Sequence, residues 1–127
     1  LPNDEAIEKA VADGVLKSIN DFANGTLGSE VLGNDNLTLE NFVKYHIVKN
    51  NIKVGDVLST NLSTFRKLDD GTFATLKIDG VNAGNPGVLS VTDNQGRTAN
   101  VVTSSTMAYN ILGNRVIVHV IDNYLTY

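Results

Sequence analysis

The hydrophobic period changes near residue 60, and this change constrains the fold more than any other feature of the chain. Before it, apolar residues recur every three or four positions; after it, they recur every second position between turn signals. Ile7, Val11, Val15, Ile19 and Phe22 form one apolar stripe. Asn3 is its expected N-cap, and Asp4 and Glu5 fall in the first turn, where the helix dipole favours negative charge. Gly14 weakens the middle, so the segment is one bent helix or two short ones. Residues 24–34 carry turn chemistry. Thr38 then predicts the N-cap of a second helix over 39–48, on which Leu39, Phe42, Val43, His46 and Ile47 share a face. Residues 54–60 are expected to add a short extra helical turn.

Beyond residue 60, Asp70-Gly71, Asp79-Gly80 and Asp93-Asn94-Gln95-Gly96 are tight-turn signals. They bound expected strands at 73–78, 88–92 and 98–102. The last strand, 116–121, is apolar at both parities, as a strand covered on both faces would be. Helices first and antiparallel strands afterwards predict an α+β domain. A chain of 127 residues makes a single domain over 1–127.

Composition narrows the function. A net charge of −4, with no basic run longer than Arg66-Lys67, argues against nucleic acid as a partner. No apolar stretch approaches the ~20 residues of a membrane-spanning helix, and no signal-like segment opens the chain, so any signal or anchor is expected outside it. Cysteine is absent, which removes disulfides, thiolate metal sites and cysteine nucleophiles. Asn24, Asn36 and Asn61 stand in Asn-x-Ser/Thr sequons, about as many as chance provides, and turns and caps account for such asparagines. Phosphate-cradling loops, His-Glu-x-x-His and Gly-x-Ser-x-Gly are missing. Asp69-Asp70 runs into a turn glycine and lacks the alternating oxygen ligands of a calcium loop. His46 and His119 are too few for a zinc site without an acidic third ligand. The simpler expectation for both is a buried neutral imidazole that donates to one polar group and accepts from another. No catalytic residue, metal ligand or cofactor is therefore expected.

Three motifs carry a family resemblance. Phe42-Val43-Lys44-Tyr45-His46-Ile47-Val48 resembles the Lys-Tyr-His-Val-Val helix end of fasciclin-like domains. Asn114-Arg115-Val116-Ile117-Val118-His119-Val120-Ile121-Asp122 is similar to that family's Asn-Gly-Val-Ile-His-Val-Ile-Asp motif, with one extra residue and with Arg115 where the family usually has Gly. Leu1-Pro2-Asn3-Asp4-Glu5-Ala6-Ile7 is similar to its Ala-Pro-Thr-Asp-Glu-Ala-Phe. Such domains normally carry ~40 residues before this last motif, so the resemblance implies an N-terminally incomplete domain with an unpaired edge and exposed apolar surface.

The resemblance implies a wedge of two β-sheets with flanking helices, the helices mainly in the N-terminal half. In it, Asn3, Asp4, His46, His119 and Asp122 form the structural motif, with Asp4, His46 and His119 interlocking through buried hydrogen bonds. The implied function is a non-enzymatic extracellular or cell-surface adhesion module whose partner is a surface or matrix protein or a glycan. Tyr45-His46 matches a Tyr-His element proposed for adhesion, and the helical reading exposes Tyr45 while His46 faces the core. Asn110-Ile111-Leu112 stands where some animal members present an Asp-Ile pair to integrins, but Asn110 has no carboxylate to coordinate a metal. The partner-binding candidates are thus Tyr45, His46, Asn110, Ile111 and Leu112.

The Asn-rich, Trp-free composition and the 25–36 insertion look bacterial. The alternative reading is accordingly a small-ligand or glycan-binding module of a bacterial envelope protein, with Tyr109, Tyr124 and Tyr127 as aromatic platforms. An enzyme built on His46 or His119 with Asp122 would need a histidine and a carboxylate within hydrogen-bond reach.

Overall fold

The computed structural model describes residues 1–17, 39–80 and 88–127. Ile19, Phe22, Thr38, the sequons at Asn24 and Asn36, and the turn at 24–34 lie outside the described residues. Helix α1 spans Asp4–Ala12 and starts as its sequence predicts, the Asn3 side chain accepting the Ala6 N–H. Gly14 stops it rather than bending it. At φ +72° it adopts the left-handed conformation, while the Gly14 N–H donates to Val11 O at 3.0 Å and the Val15 N–H to Ala10 O at 2.8 Å. These two bonds satisfy carbonyls that the last turn leaves open. The buried face of α1 is Ala6 and Ala10, not the Ile7 side of the stripe.

Helix α2 covers Leu39–Tyr45, shorter than the expected 39–48. Ile47 and Lys49 instead join a sheet edge: the Phe65 N–H donates to Ile47 O and the Lys49 N–H to Ser63 O, both at 2.9 Å. The β-branched pair Ile47-Val48 suits that extended backbone better than another helical turn. Residues 54–60 are not helical either. Asp56 accepts the Lys53 N–H and Gly55 sits at φ +107°, which ends the turn.

A four-stranded antiparallel sheet follows in sequential order: β1 (Ser59–Lys67), β2 (Phe73–Asp79), β3 (Ser90–Thr92) and β4 (Thr98–Asn100). Strand β2 alternates as written, with Ala74, Leu76 and Ile78 buried and Phe73, Thr75 and Lys77 exposed. The register with β1 shifts between Ser63 and Lys67. Thr64 is buried in this irregularity, where its hydroxyl donates to Ala74 O and accepts from the Arg66 N–H. The side chain thereby replaces ladder bonds that the shift removes. At the end of β2, the Gly80 N–H donates to Leu58 O at 2.7 Å, packing the strand end against the 53–56 turn.

The second sheet is the hairpin of β5 (Ile111–Leu112) and β6 (Ile117–Val118). The expected strand at 116–121 is therefore mostly irregular, and it is not covered on both faces, because Val116 is exposed and residues 117–120 are half-buried. Ile121 nevertheless bridges Pro2 on one side and Val101 on the other. Helices in the N-terminal half and two antiparallel sheets give the expected α+β class.

The main core joins the inner face of the large sheet (Ala74, Leu76, Ile78, Ala99) to Tyr45, Ile52, Ile121 and Leu125. A smaller cluster joins Ala10 and Leu16 to Phe42 and Tyr124. Residues 122–127 strap these parts together. The Tyr124 hydroxyl donates to Asp13 at 2.5 Å, the Leu125 N–H to His46, and the Thr126 N–H to the buried Asp93 carboxylate. Asp93 also accepts the Gln95 and Arg97 N–H groups and so fixes the β3–β4 turn.

Candidate interaction site

The β5–β6 hairpin places three of the sequence candidates together. Asn110, at φ +50°, turns its amide inward: Oδ1 accepts the Val54 N–H at 2.8 Å and Nδ2 donates to Val54 O at 3.4 Å. The side chain thus mimics a strand partner for Val54 and anchors the hairpin. Its backbone N–H donates to His119 Nδ1 at 3.3 Å, and His119 Nε2 lies 2.8 Å from Ile52 O. A carbonyl only accepts, so the His119 proton sits on Nε2 and Nδ1 is the acceptor. Beyond this anchorage Ile111 is exposed, Leu112 is 72% exposed and Val116 is 48% exposed.

The hairpin tip carries strain. Arg115, in the position where the resembling motif has Gly, adopts φ +82°. A side chain in the left-handed region costs about 1–2 kcal/mol. Arg115→Gly is expected to stabilise the protein by about 1 kcal/mol, the glycine's extra freedom in the unfolded chain offsetting part of the relief. A thermal melt checks this, and an unchanged or lower Tm would refute it.

Tyr45 departs from its expected exposure, whereas His46 donates to one polar group and accepts from another, as expected. Tyr45 is 1% exposed, inside the main core. Its hydroxyl donates to Thr75 O and accepts the Asn94 N–H, and burial pushes its phenol up to about 12. His46 is half-buried, with Nδ1 2.8 Å from Phe42 O and Nε2 accepting the Leu125 N–H at 3.0 Å. Its proton therefore sits on Nδ1, the opposite tautomer to His119. Burial lowers its pKa from 6.5 to about 4, the bond to Phe42 O opposing the shift. The buried side of α2 is Phe42 and Tyr45, three residues apart, while the stripe of Leu39, Val43 and Ile47 stays exposed.

The structural motif is likewise redistributed. Asn3 caps α1, but Asp4 is exposed, and no hydrogen bond joins Asp4, His46 and His119 among the described residues. Asp122 is also exposed and takes the Asn100 backbone and side-chain N–H groups. The histidines bond backbone groups and are not paired with Asp122, so the His–carboxylate arrangement considered for an enzyme is not formed. No group of three or more His, Asp or Glu side chains is placed to hold a metal among the described residues. None of their helices is long and apolar enough to cross a membrane.

Two further surfaces are not among the site residues read from the sequence. An apolar groove of about 1170 Å³ is lined by Ile7, Leu39, Val43, Ile47, Phe65 and Val116, among others. The periodic stripes of both helices face this groove, so their apolar pattern marked the correct side without showing that it is open. On the outer face of the large sheet, Phe65 and Phe73 are 50% and 40% exposed, and the Lys49 ammonium sits 5.7 Å and 2.8 Å from their ring centroids. The signal was Phe73 itself, an aromatic at the polar parity of an alternating strand. Of the expected aromatic platforms, Tyr124 is fully buried, Tyr109 packs against the core, and Tyr127 lies edge-on to Tyr45 beneath Arg66.

No curated protein and no solved structure matches the chain. The profile of the fasciclin domain does, over residues 1–127. This range holds all three motifs and both helices and sheets, and fasciclin domains are generally linked to adhesion and interaction. The chain belongs to the fasciclin domain family.

Proposed function

We propose that residues 1–127 act as one non-enzymatic adhesion unit outside the cell or at the cell envelope, engaging a surface or matrix protein through the β5–β6 hairpin. The observation that carries this reading is the exposed apolar cluster of Ile111, Leu112 and Val116 on a hairpin pinned by Asn110 and His119. Exposed apolar side chains on a rigid support lose little conformational freedom on binding, which favours a protein contact. Family membership supports an interaction role, and the backbone bonds on both histidines leave no ring nitrogen free to act as a base.

The test is a solid-phase screen against matrix proteins and intact cells, with heat-unfolded protein as control. Leu112→Ser combined with Val116→Ser is expected to weaken saturable binding roughly tenfold or more while leaving the melting temperature within a few degrees. Unchanged binding by the double variant would move the contact away from the hairpin.

A further inference from the structure

We infer that the outer face of the four-stranded sheet is a binding surface for an acidic polysaccharide, one that bears carboxylate or sulfate groups on its sugars. This surface centres on β2, and Phe65 at its edge also lines the groove that reaches Val116 of the hairpin. Along β2, Phe73, Thr75 and Lys77 follow one another on the exposed face, roughly 7 Å apart. The register sets Lys67 opposite Phe73, Ser63 opposite Thr75, and Asn61 and Thr92 on either side of Lys77. Thr98 continues the last row, its hydroxyl 3.0 Å from that of Thr92. The face is therefore a flat field of hydroxyl, amide and ammonium groups, with two exposed phenyl rings at one end.

Three features select the ligand class. The chain carries a net charge of −4, yet Lys49, Lys67 and Lys77 gather on this face. The nearest carboxylates mark its ends: half-buried Asp79 at one, and Asp69 and Asp70 of the β1–β2 turn at the other, where Asp70 is bonded to Thr72. Lys49 is held over the Phe73 ring, which keeps its charge at the face instead of letting it sweep through solvent. The exposed Phe65 ring beside it offers an apolar plane on which the C–H face of a sugar can stack. An extended polyanion with hydroxyl groups and apolar sugar faces meets all of these groups at once. A purely apolar partner would leave the lysines and hydroxyls without bonds.

Immobilised polygalacturonate, dextran sulfate and uncharged dextran, probed with the 127-residue chain at low and physiological salt, test the assignment. Saturable, salt-weakened binding to an acidic polymer and none to dextran is the expected result. Polygalacturonate alone would identify carboxylates, dextran sulfate alone would identify sulfates, and both would show that charge suffices. Lys67→Gln with Lys77→Gln should weaken binding roughly tenfold and flatten its salt dependence. Phe65→Ser should weaken binding with the salt dependence unchanged. Should Phe65→Ser lower the melting temperature, Thr75→Glu places a carboxylate mid-face and is expected to reduce binding as the lysine variants do. Leu112→Ser should leave the affinity as it is, which separates this surface from the hairpin. Equal binding to dextran, indifference to the lysine substitutions, or binding to phosphatidylserine vesicles without any to polysaccharide would overturn the inference.

Discussion

Gly80→Ala is expected to be the most damaging single-methyl change in the described part of the protein. A Cβ at this position would lie 2.2 Å from Asp56 O, a backbone atom that cannot rotate away. Relief requires the 53–56 turn to retreat by about 1 Å, far more than a well-packed region yields without penalty. That retreat pulls on the Gly80 N–H bond to Leu58 O and on the Lys53 N–H bond to Asp56. It also disturbs Val54, the residue clasped by Asn110, so the damage reaches the hairpin. We expect a loss of about 3 kcal/mol, seen as a fall in Tm on the order of 10 °C. Gly14→Ala is the control: it adds the same methyl group in open space, so only its left-handed backbone opposes the change. A Tm for Gly80→Ala within two or three degrees of the parent would mean that the turn is softer than its packing indicates.

Acid is expected to unlock the protein at His46. The folded imidazole is neutral, and its Nε2 lone pair accepts the Leu125 N–H. Protonation would set two donors against each other in a buried place. Burial lowers the folded pKa to about 4 from 6.5. Between these values the unfolded chain binds more protons, so the His46 contribution is complete above pH 6.5 and is lost as pH falls toward 4. It amounts to about 3 kcal/mol. Urea unfolding at intervals from pH 7.5 to 4 measures this loss, and His46→Gln, which has no titrating proton, should flatten the curve over that window. Comparison with His46→Gln cancels the contributions of the other titrating groups. A parent curve that is already flat between pH 6.5 and 4 would sink the assignment.

Local rules were legible where one interaction decides the outcome. Asn3 caps α1 because its oxygen reaches an N–H three residues ahead, and β2 alternates because each second side chain meets the core. The three motifs likewise placed the chain in its family. Rotation and coverage were not legible. One helical step from a core-facing His46 turns Tyr45 outward, but the side of α2 that meets the core is that of Phe42 and Tyr45. The clasp of Asn110 on Val54 is not legible either, because a sequence does not reveal that Val54, far along the chain, lies within reach of that amide. The His–Asp interlock failed for a similar reason, since each histidine found a backbone partner first.

The strap at 122–127 bears on how the chain is made as well as on how it is held. Tyr124 reaches Asp13 across 111 positions, and Leu125 reaches His46 across 79. Ribosomes deliver a polypeptide amino end first, so α1 and α2 emerge long before the residues that dock on them. Folds dominated by contacts of such sequence separation also form slowly, on the scale of milliseconds to seconds. A nascent chain therefore keeps Ala10, Phe42 and Leu16 without Tyr124 until residues 122–127 have cleared the exit tunnel. Apolar surface left uncovered for such an interval is the kind that chaperones bind and proteases reach.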